Sequence, residues 1–179
     1  MSTILTENDK IYLRKLNLND NLDNYLSWIN DKDSTIYLTK KKKQTVNDLK
    51  NYIKYHLKSN NYLCGIFKKS NNIHVGNVLL SRIDNTNKNC DIGIFVGKDF
   101  WGEGIGTSAV VLLSDYAFDV LKMHKVIAGV VKENVGSSKL FEKAGFKLDG
   151  VKKEEFKMGD KFLDHLHYGK IKNKNKWKK

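Results

Sequence analysis

With 179 residues, 40% of them hydrophobic and none of them proline, the chain suits a single domain with a proper core, and wholesale disorder is excluded. The formal charge of +12 raises nucleic acid or an acidic ligand as a partner. Arginine, the residue that dominates base and phosphate recognition, occurs only as Arg14 and Arg82, and much of the lysine excess sits in "TKKKKQ" (39–44) and "KIKNKNKWKK" (170–179), which disfavours dedicated nucleic-acid binding.

"KIYLRKL" (10–16) predicts a strand. "DNLDNYLSWIND" (20–31) predicts a helix, with an Asp to cap it and Leu22, Tyr25, Leu26 and Ile29 at helical spacing. In "TVNDLKNYIKYHLKSN", Thr45 and Asp48 take capping-box positions, and Leu49, Ile53 and Leu57 recur every four residues, so a second helix follows. "NYLCGIFKK" and "IHVGNVLLSRID" predict two strands about the turn "SNN", and "NCDIGIFVG" a further one. A glycine loop then leads into a helix that points Ile105, Ala109, Leu112, Leu113, Tyr116 and Ala117 towards a core. "KVIAGVVKEN" is continuously apolar, as expected of a buried central strand. "VGSSKLFEKAGF" predicts a short helix stopped by Gly145. Strands at about 146–156 and 162–170 close the chain around "MGD".

This order, β-α-α-β-β-β-α-β-α-β-β, predicts an α/β (α+β) mixed sheet flanked by helices. It forms one domain over 1–170, with a basic tail at 171–179. No apolar run reaches the length of a membrane span, and "MSTILTENDK" lacks the basic and apolar sections of a signal peptide. Cys64 and Cys90 form no metal or redox spacing, so both are expected as reduced core residues of a cytoplasmic protein.

The glycine loop carries the chemistry. "FWGEGIGTSAV" (100–110) alternates Gly102, Gly104 and Gly106 and then becomes a helix. Missing Cβ atoms let backbone N–H groups approach an anion, and a helix start supplies free N–H groups and a favourable dipole. A tight turn alone would need one glycine, so three argue for ligand contact. A Walker-type phosphate loop is excluded, because no Lys-Ser/Thr follows Gly106. Gly104 to Ala109 does fit the dinucleotide fingerprint G-x-G-x-x-A, and the acidic Glu133 lies near the end of the next strand. However, "GKDFW" separates the loop from its strand, and there is one clear parallel crossover where a dinucleotide fold needs several.

The loop resembles the acyl-CoA pyrophosphate loop of the GNAT N-acetyltransferases, (Q/R)-x-x-G-x-G/A, with Trp101 where Gln or Arg is commonest. Trp is what the RimJ/RimL branch shows. "DIGIFVGKDFW" (91–101), "ENVGSSKLFEKAGFKLDG" (133–150), "IYLRKLNLNDNLDNYLSWIND" (11–31) and "GDKFLDHLHYGK" (159–170) are similar to further motifs of that branch, in the right order. The resemblance implies a mostly antiparallel sheet with a splay between its two central strands. It also implies direct acetyl transfer from acetyl-CoA to an amine, without a metal.

Residue by residue, the resemblance implies that Ile94, Phe95 and Val96 present backbone N–H groups to the acyl oxygen. It puts Trp101, Gly102, Glu103, Gly104, Ile105, Gly106 and Thr107 around the pyrophosphate. Asn134 matches an Asn that touches the pantetheine arm, although Asn is also a residue that starts helices. Phe141 replaces the Tyr with which many members protonate the thiolate, and is expected beside the cofactor. Ser137 is the candidate donor or water-holder, with Tyr168 as the alternative. Asp91 is the candidate base, which requires partial burial to raise its pKa. Trp28, Asn30, Tyr37 and Asp164 are expected at the acceptor. "W-x-N-D" followed by a Tyr looks like members that acetylate amino sugars on nucleotide carriers, so an amino-sugar nucleotide is the leading acceptor. A protein N-terminus is the rival acceptor, and a non-catalytic acyl-CoA-binding module the rival activity. A homodimer is common among such proteins. His165 and His167 share a strand face, and as a metal pair they lack an evident third ligand.

Overall fold

The computed structural model describes residues 3–38 and 42–172. Thr39 to Lys41 of the lysine run and residues 173–179 of the tail lie outside the described residues. Eight strands form one sheet: β1 (Ile4–Glu7), β2 (Ile11–Lys15), β3 (Tyr62–Lys68), β4 (His74–Asp84), β5 (Asn89–Val96), β6 (Lys125–Val131), β7 (Lys147–Met158) and β8 (Lys161–Ile171). Their spatial order is β1-β2-β3-β4-β5-β6-β8-β7. Only β5 and β6 pair in parallel. The helices are α1 (Asp23–Asn30), α2 (Val46–Lys58), α3 (Ile105–Asp119) and α4 (Val135–Lys143). The mixed, mostly antiparallel sheet is the fold class expected. No helix among the described residues is long and apolar enough to cross a membrane.

Strand alternation divides the interior into two cores. On one face, α3 buries Ile105, Ala109, Val110 and Leu113 against Ile66, Val78, Leu80 and Ile92. On the other, α1 and α2 bury Tyr25, Trp28, Leu49 and Ile53 against Leu63 and Phe67. Each such side chain contributes about 1.5–3 kcal/mol by leaving water. Cys64 and Cys90 are free thiols in the first core, and burial pushes each up to about 12.

The starts of α1 and α2 differ. Thr45 and Asp48 form the expected capping box: Asp48 N–H donates to Thr45 Oγ1 (3.2 Å) and Thr45 N–H to Asp48 Oδ2 (2.8 Å). Asp20 does not cap α1. The helix begins at Asp23 with no side-chain cap, and Asp20 instead takes two bonds of 2.9 Å from Arg14 and one of 2.8 Å from Asn17 N–H. Burial works against its charge, but those donors outweigh it and hold the carboxyl below its usual range.

Two boundaries differ from expectation. Strand β1 has four residues and exposed ends, too short for alternation to reveal it. At the other end, β8 runs to Ile171, just past the strand expected at about 162–170, and Lys172 donates from Nζ to Phe118 O.

The feature that positions the site is a gap in the sheet. β5 and β6 pair only through Asn89–Asp91 and Lys125–Ile127. Beyond that point β5 stays with β4, and β6 stays with β8. The facing edges of Ile92–Val96 and Ala128–Val131 part, as expected of the splay.

Candidate active site

The splay opens into a cleft of about 880 Å³, within the size range of cofactor sites. Its floor is the free edge of β5 at Ile94, Phe95 and Val96. The glycine loop with the start of α3 forms one wall, α4 another, and the 33–38 turn a third.

The loop is shaped by backbone conformation. Gly102 (φ +84°) and Gly104 (φ +76°) lie in the left-handed region, where a side chain is strained. A Cβ added at either meets nothing within 4 Å, so open space stands above both. Gly104 is the N-cap of α3 and provides no side-chain cap, and the first helical bond of the turn is Ser108 N–H to Gly104 O. The N–H groups of Ile105, Gly106 and Thr107 therefore precede the helix's own ladder and belong to residues that line the cleft, the makings of an anion site. A pyrophosphate fits this wall.

Gly106 has a different reason to be glycine. Its Cβ would come within 2.5 Å of Leu140 Cδ1, so it lets α3 and α4 pack closely. Trp101 lines the cleft and is pinned by its Nε1–H bond to Val96 O (2.8 Å). Glu103 turns out of the cleft to pair with Lys68 at 2.7 Å, so among the loop residues its side chain is not placed at the pyrophosphate.

Asn134 lines the cleft and also caps α4, its Oδ1 accepting from Ser137 N–H at 3.1 Å. The helix-start reading of this residue is the one its hydrogen bond shows. Ser137 is half-buried on the cleft wall, where the thiolate donor was sought. Phe141 is not beside the cleft. It is 2% exposed and packs on Phe146 and Tyr168. Tyr168 is likewise buried, and its hydroxyl donates to Glu142 Oε1 at 3.1 Å. It lies in the core behind α4 and does not line the cleft.

The acceptor residues fare unevenly. Tyr37 lines the mouth, and its hydroxyl donates to Glu133 O at 3.1 Å, tying the turn to the end of β6. Lys98 bonds Asp33 at 2.6 Å and ties the same turn to the approach of the glycine loop. Trp28 faces the interior, packed on His74 and Phe100, with its ring against Gly97, where a Cβ would lie 2.5 Å from Cε2. It braces the glycine loop from below. Asn30 clasps Gln44 through two bonds of 2.9 and 2.7 Å and joins α1 to the approach of α2. Asp164 takes Lys153 at 3.1 Å, Lys132 at 3.2 Å and Glu154 N–H at 3.3 Å, which together hold its carboxyl below the usual range. It fastens β6, β7 and β8. Asp91 is paired with the Arg82 guanidinium and does not line the cleft.

Sequence reasoning missed several lining residues: Ser34, Ile36 and Leu38 of the turn, Ser108 of α3, and Lys139 and Lys143 of α4. The two lysines stand one turn apart, an i,i+4 spacing that was a readable signal for a second cationic contact to a phosphate-rich ligand.

Residues 10–147, more than half of the chain, match the sequence profile of the acetyltransferase (GNAT) domain. A Bacillus subtilis protein named "Probable N-acetyltransferase YjcK" is 39% identical over 109 residues, 60% of either chain, so the aligned part is well short of that protein's full length. The "Uncharacterized N-acetyltransferase p20" of Bacillus licheniformis is 27% identical over 96% of this chain and 97% of its own. Among solved structures, a spermidine N-acetyltransferase of Vibrio cholerae in complex with CoA and spermine superposes with a TM-score of 0.82 at 21% identity, covering 92% of this chain and 96% of that one. The glycine loop, the splay and these matches agree: the chain belongs to the GNAT acetyltransferase family.

Proposed function

We propose that the protein moves an acetyl group from acetyl-CoA directly to the primary amine of a small molecule. The observation that carries this reading is the junction of the splay with the start of α3: three helix-start N–H groups and two left-handed glycines lie on one wall of a cleft whose floor is a free strand edge. The pyrophosphate of the cofactor would rest on the first, and the thioester would lie along the second.

The neutral amine attacks the thioester carbon, the C–S bond breaks, and CoA leaves as a thiolate. Backbone N–H groups on the free edge of β5 at Ile94–Val96 stabilise the charge that develops on the acyl oxygen. Ser137 passes a proton to the thiolate, directly or through a water, and regains one from solvent, while the proton shed by the amine nitrogen as the amide forms leaves to solvent through the cleft. Asp91, occupied by Arg82, is given no part as base.

The acceptor is read as a small amine because the 33–38 turn, held at Asp33 and Tyr37, lines the same cleft as the glycine loop and so shares its limited volume. The amino-sugar nucleotide suggested by "W-x-N-D" loses its support, since Trp28 and Asn30 serve packing and the α1–α2 junction. A polyamine gains some, because spermidine N(1)-acetyltransferase of Escherichia coli is 32% identical over 81 residues, 45% of this chain and 44% of its own. The deciding experiment follows CoA release from acetyl-CoA with polyamines, amino sugars, amino-sugar nucleotides and N-terminal peptides. Turnover with a small amine and none with peptides is expected. Turnover with peptides alone would make the protein an N-terminal acetyltransferase, and tight acetyl-CoA binding without any turnover would make it a binding module.

A further inference from the structure

The outer half of the β7–β8 hairpin carries a second group of ligand-type side chains. The pairing register shifts between Lys152 and Phe156, and Glu154 adopts φ +53°. A bulge of this kind re-aims the neighbouring side chain. Here it turns Glu155 onto the histidines of β8. Glu155 Oε2 lies 2.9 Å from His165 Nδ1 and 3.4 Å from His167 Nε2. The three donor atoms lie within 4.8 Å of one another. The third ligand that the sequence did not reveal is therefore present.

The surroundings fix the group. Lys152 Nζ holds the other carboxylate oxygen, Oε1, at 2.8 Å and leaves Oε2 to the histidines. The His165 ring lies over Gly129, where a Cβ would come within 2.6 Å of Cε1, so a glycine inside the central strand β6 makes its room. Phe156 stacks on the same ring, with centroids 6.5 Å apart at 28°. A plain carboxylate–imidazole hydrogen bond would need one histidine. Two imidazoles directed at one oxygen, with the carboxylate brought in by an irregular backbone, match the donor set of open zinc sites.

We propose that Glu155, His165 and His167 bind one divalent transition-metal ion of the zinc class. The ion would clamp the outer part of β7 to β8 and keep at least one coordination position open to solvent. The site uses no residue of the cofactor cleft, so it stands or falls independently of the acetyltransfer reading.

The test is calorimetric titration of the tag-free full chain with zinc chloride near neutral pH, after treatment with a chelator, with the melting temperature as a second readout. One zinc per chain and a rise in melting temperature are expected. Glu155→Gln, His165→Ala and His167→Ala should each weaken binding by at least about tenfold, while His124→Ala, at an exposed histidine elsewhere, should leave it unchanged. Circular dichroism checks that each variant folds; Glu155→Gln and His167→Gln keep the proposal decidable if His165→Ala does not. Absence of saturable zinc binding would overturn it, as would binding that persists in folded variants of both histidines.

Discussion

The cofactor wall and the opposite face of the splay are built from different materials. On the wall the working groups are backbone: the N–H groups of Ile105, Gly106 and Thr107 and the free edge at Ile94–Val96. On the face shared by Asp91, His165 and His167 they are side chains, already engaged with partners from the neighbouring strand, Arg82 and Glu155. A backbone site depends on where glycines permit unusual φ and where a helix starts. A side-chain site depends on which strands happen to meet, and it can change its chemistry without any change of fold. The glycine-loop wall and the side-chain face are therefore free to diverge separately.

The largest expected effect separates two neighbouring glycines of that wall. Gly104 holds φ +76° with open space above it, whereas Gly106 is closed in by Leu140. Gly104→Val should forfeit one or two charge-assisted contacts to the pyrophosphate, each about 1.5–3 kcal/mol, and so lower acetyl-CoA affinity by about a hundredfold. Gly106→Val should instead cost about 1–3 kcal/mol by overpacking, read as a lower melting temperature. Calorimetry with acetyl-CoA on folded Gly104→Val decides the matter: unchanged affinity would mean that the anion does not sit on this wall.

A second contrast lies along α4. Ser137 faces the cleft, while Tyr168 is buried behind the helix and bonded to Glu142. With the best amine of the panel, Ser137→Ala should lower kcat by at least about tenfold and leave acetyl-CoA affinity within about twofold. Tyr168→Phe should keep kcat and lose about 1 kcal/mol of stability with its hydrogen bond. The reverse pattern, with kcat lost only at Tyr168, would return the proton to that hydroxyl.

The same division decides what the sequence could reveal. Gly102, Gly104 and the start of α3 are contiguous, and their chemistry follows from local conformation, so the loop was readable. So was the capping box of Thr45 and Asp48, since both partners lie within one turn. Trp28 and Asn30 were expected at the acceptor by their likeness to a motif, and a motif does not say which way a helix turns its side chains: Trp28 packs inward on Phe100 and Asn30 clasps Gln44. Phe141 and Tyr168 were placed at the cofactor by motif position, but the closeness of α4 to β8 carries both into the core. Glu155 stayed hidden because a regular strand would alternate its side chains, and only the bulge after Lys152 turns it to the histidines. Strand β1 stayed hidden because four residues on an edge carry no pattern.

The smallest expected effect concerns the side chains that the cofactor wall does use. Lys139 and Lys143 are exposed, stand on one face of α4 and line the cleft. Exposed ion pairs are worth about 0.2–1 kcal/mol each, so the double variant Lys139→Gln with Lys143→Gln should weaken acetyl-CoA binding by only about threefold to tenfold. The loss should shrink as salt is raised, because the charges are screened over about 10 Å at 0.1 M. Affinity at the helix start, where N–H groups converge on the ligand, should respond less to salt. A variant whose deficit does not change with ionic strength would show that the lysines act by packing against the cofactor and not by charge. A deficit as large as that of Gly104→Val would shift the main anchor from backbone to side chains and abolish the contrast between the wall and the opposite face.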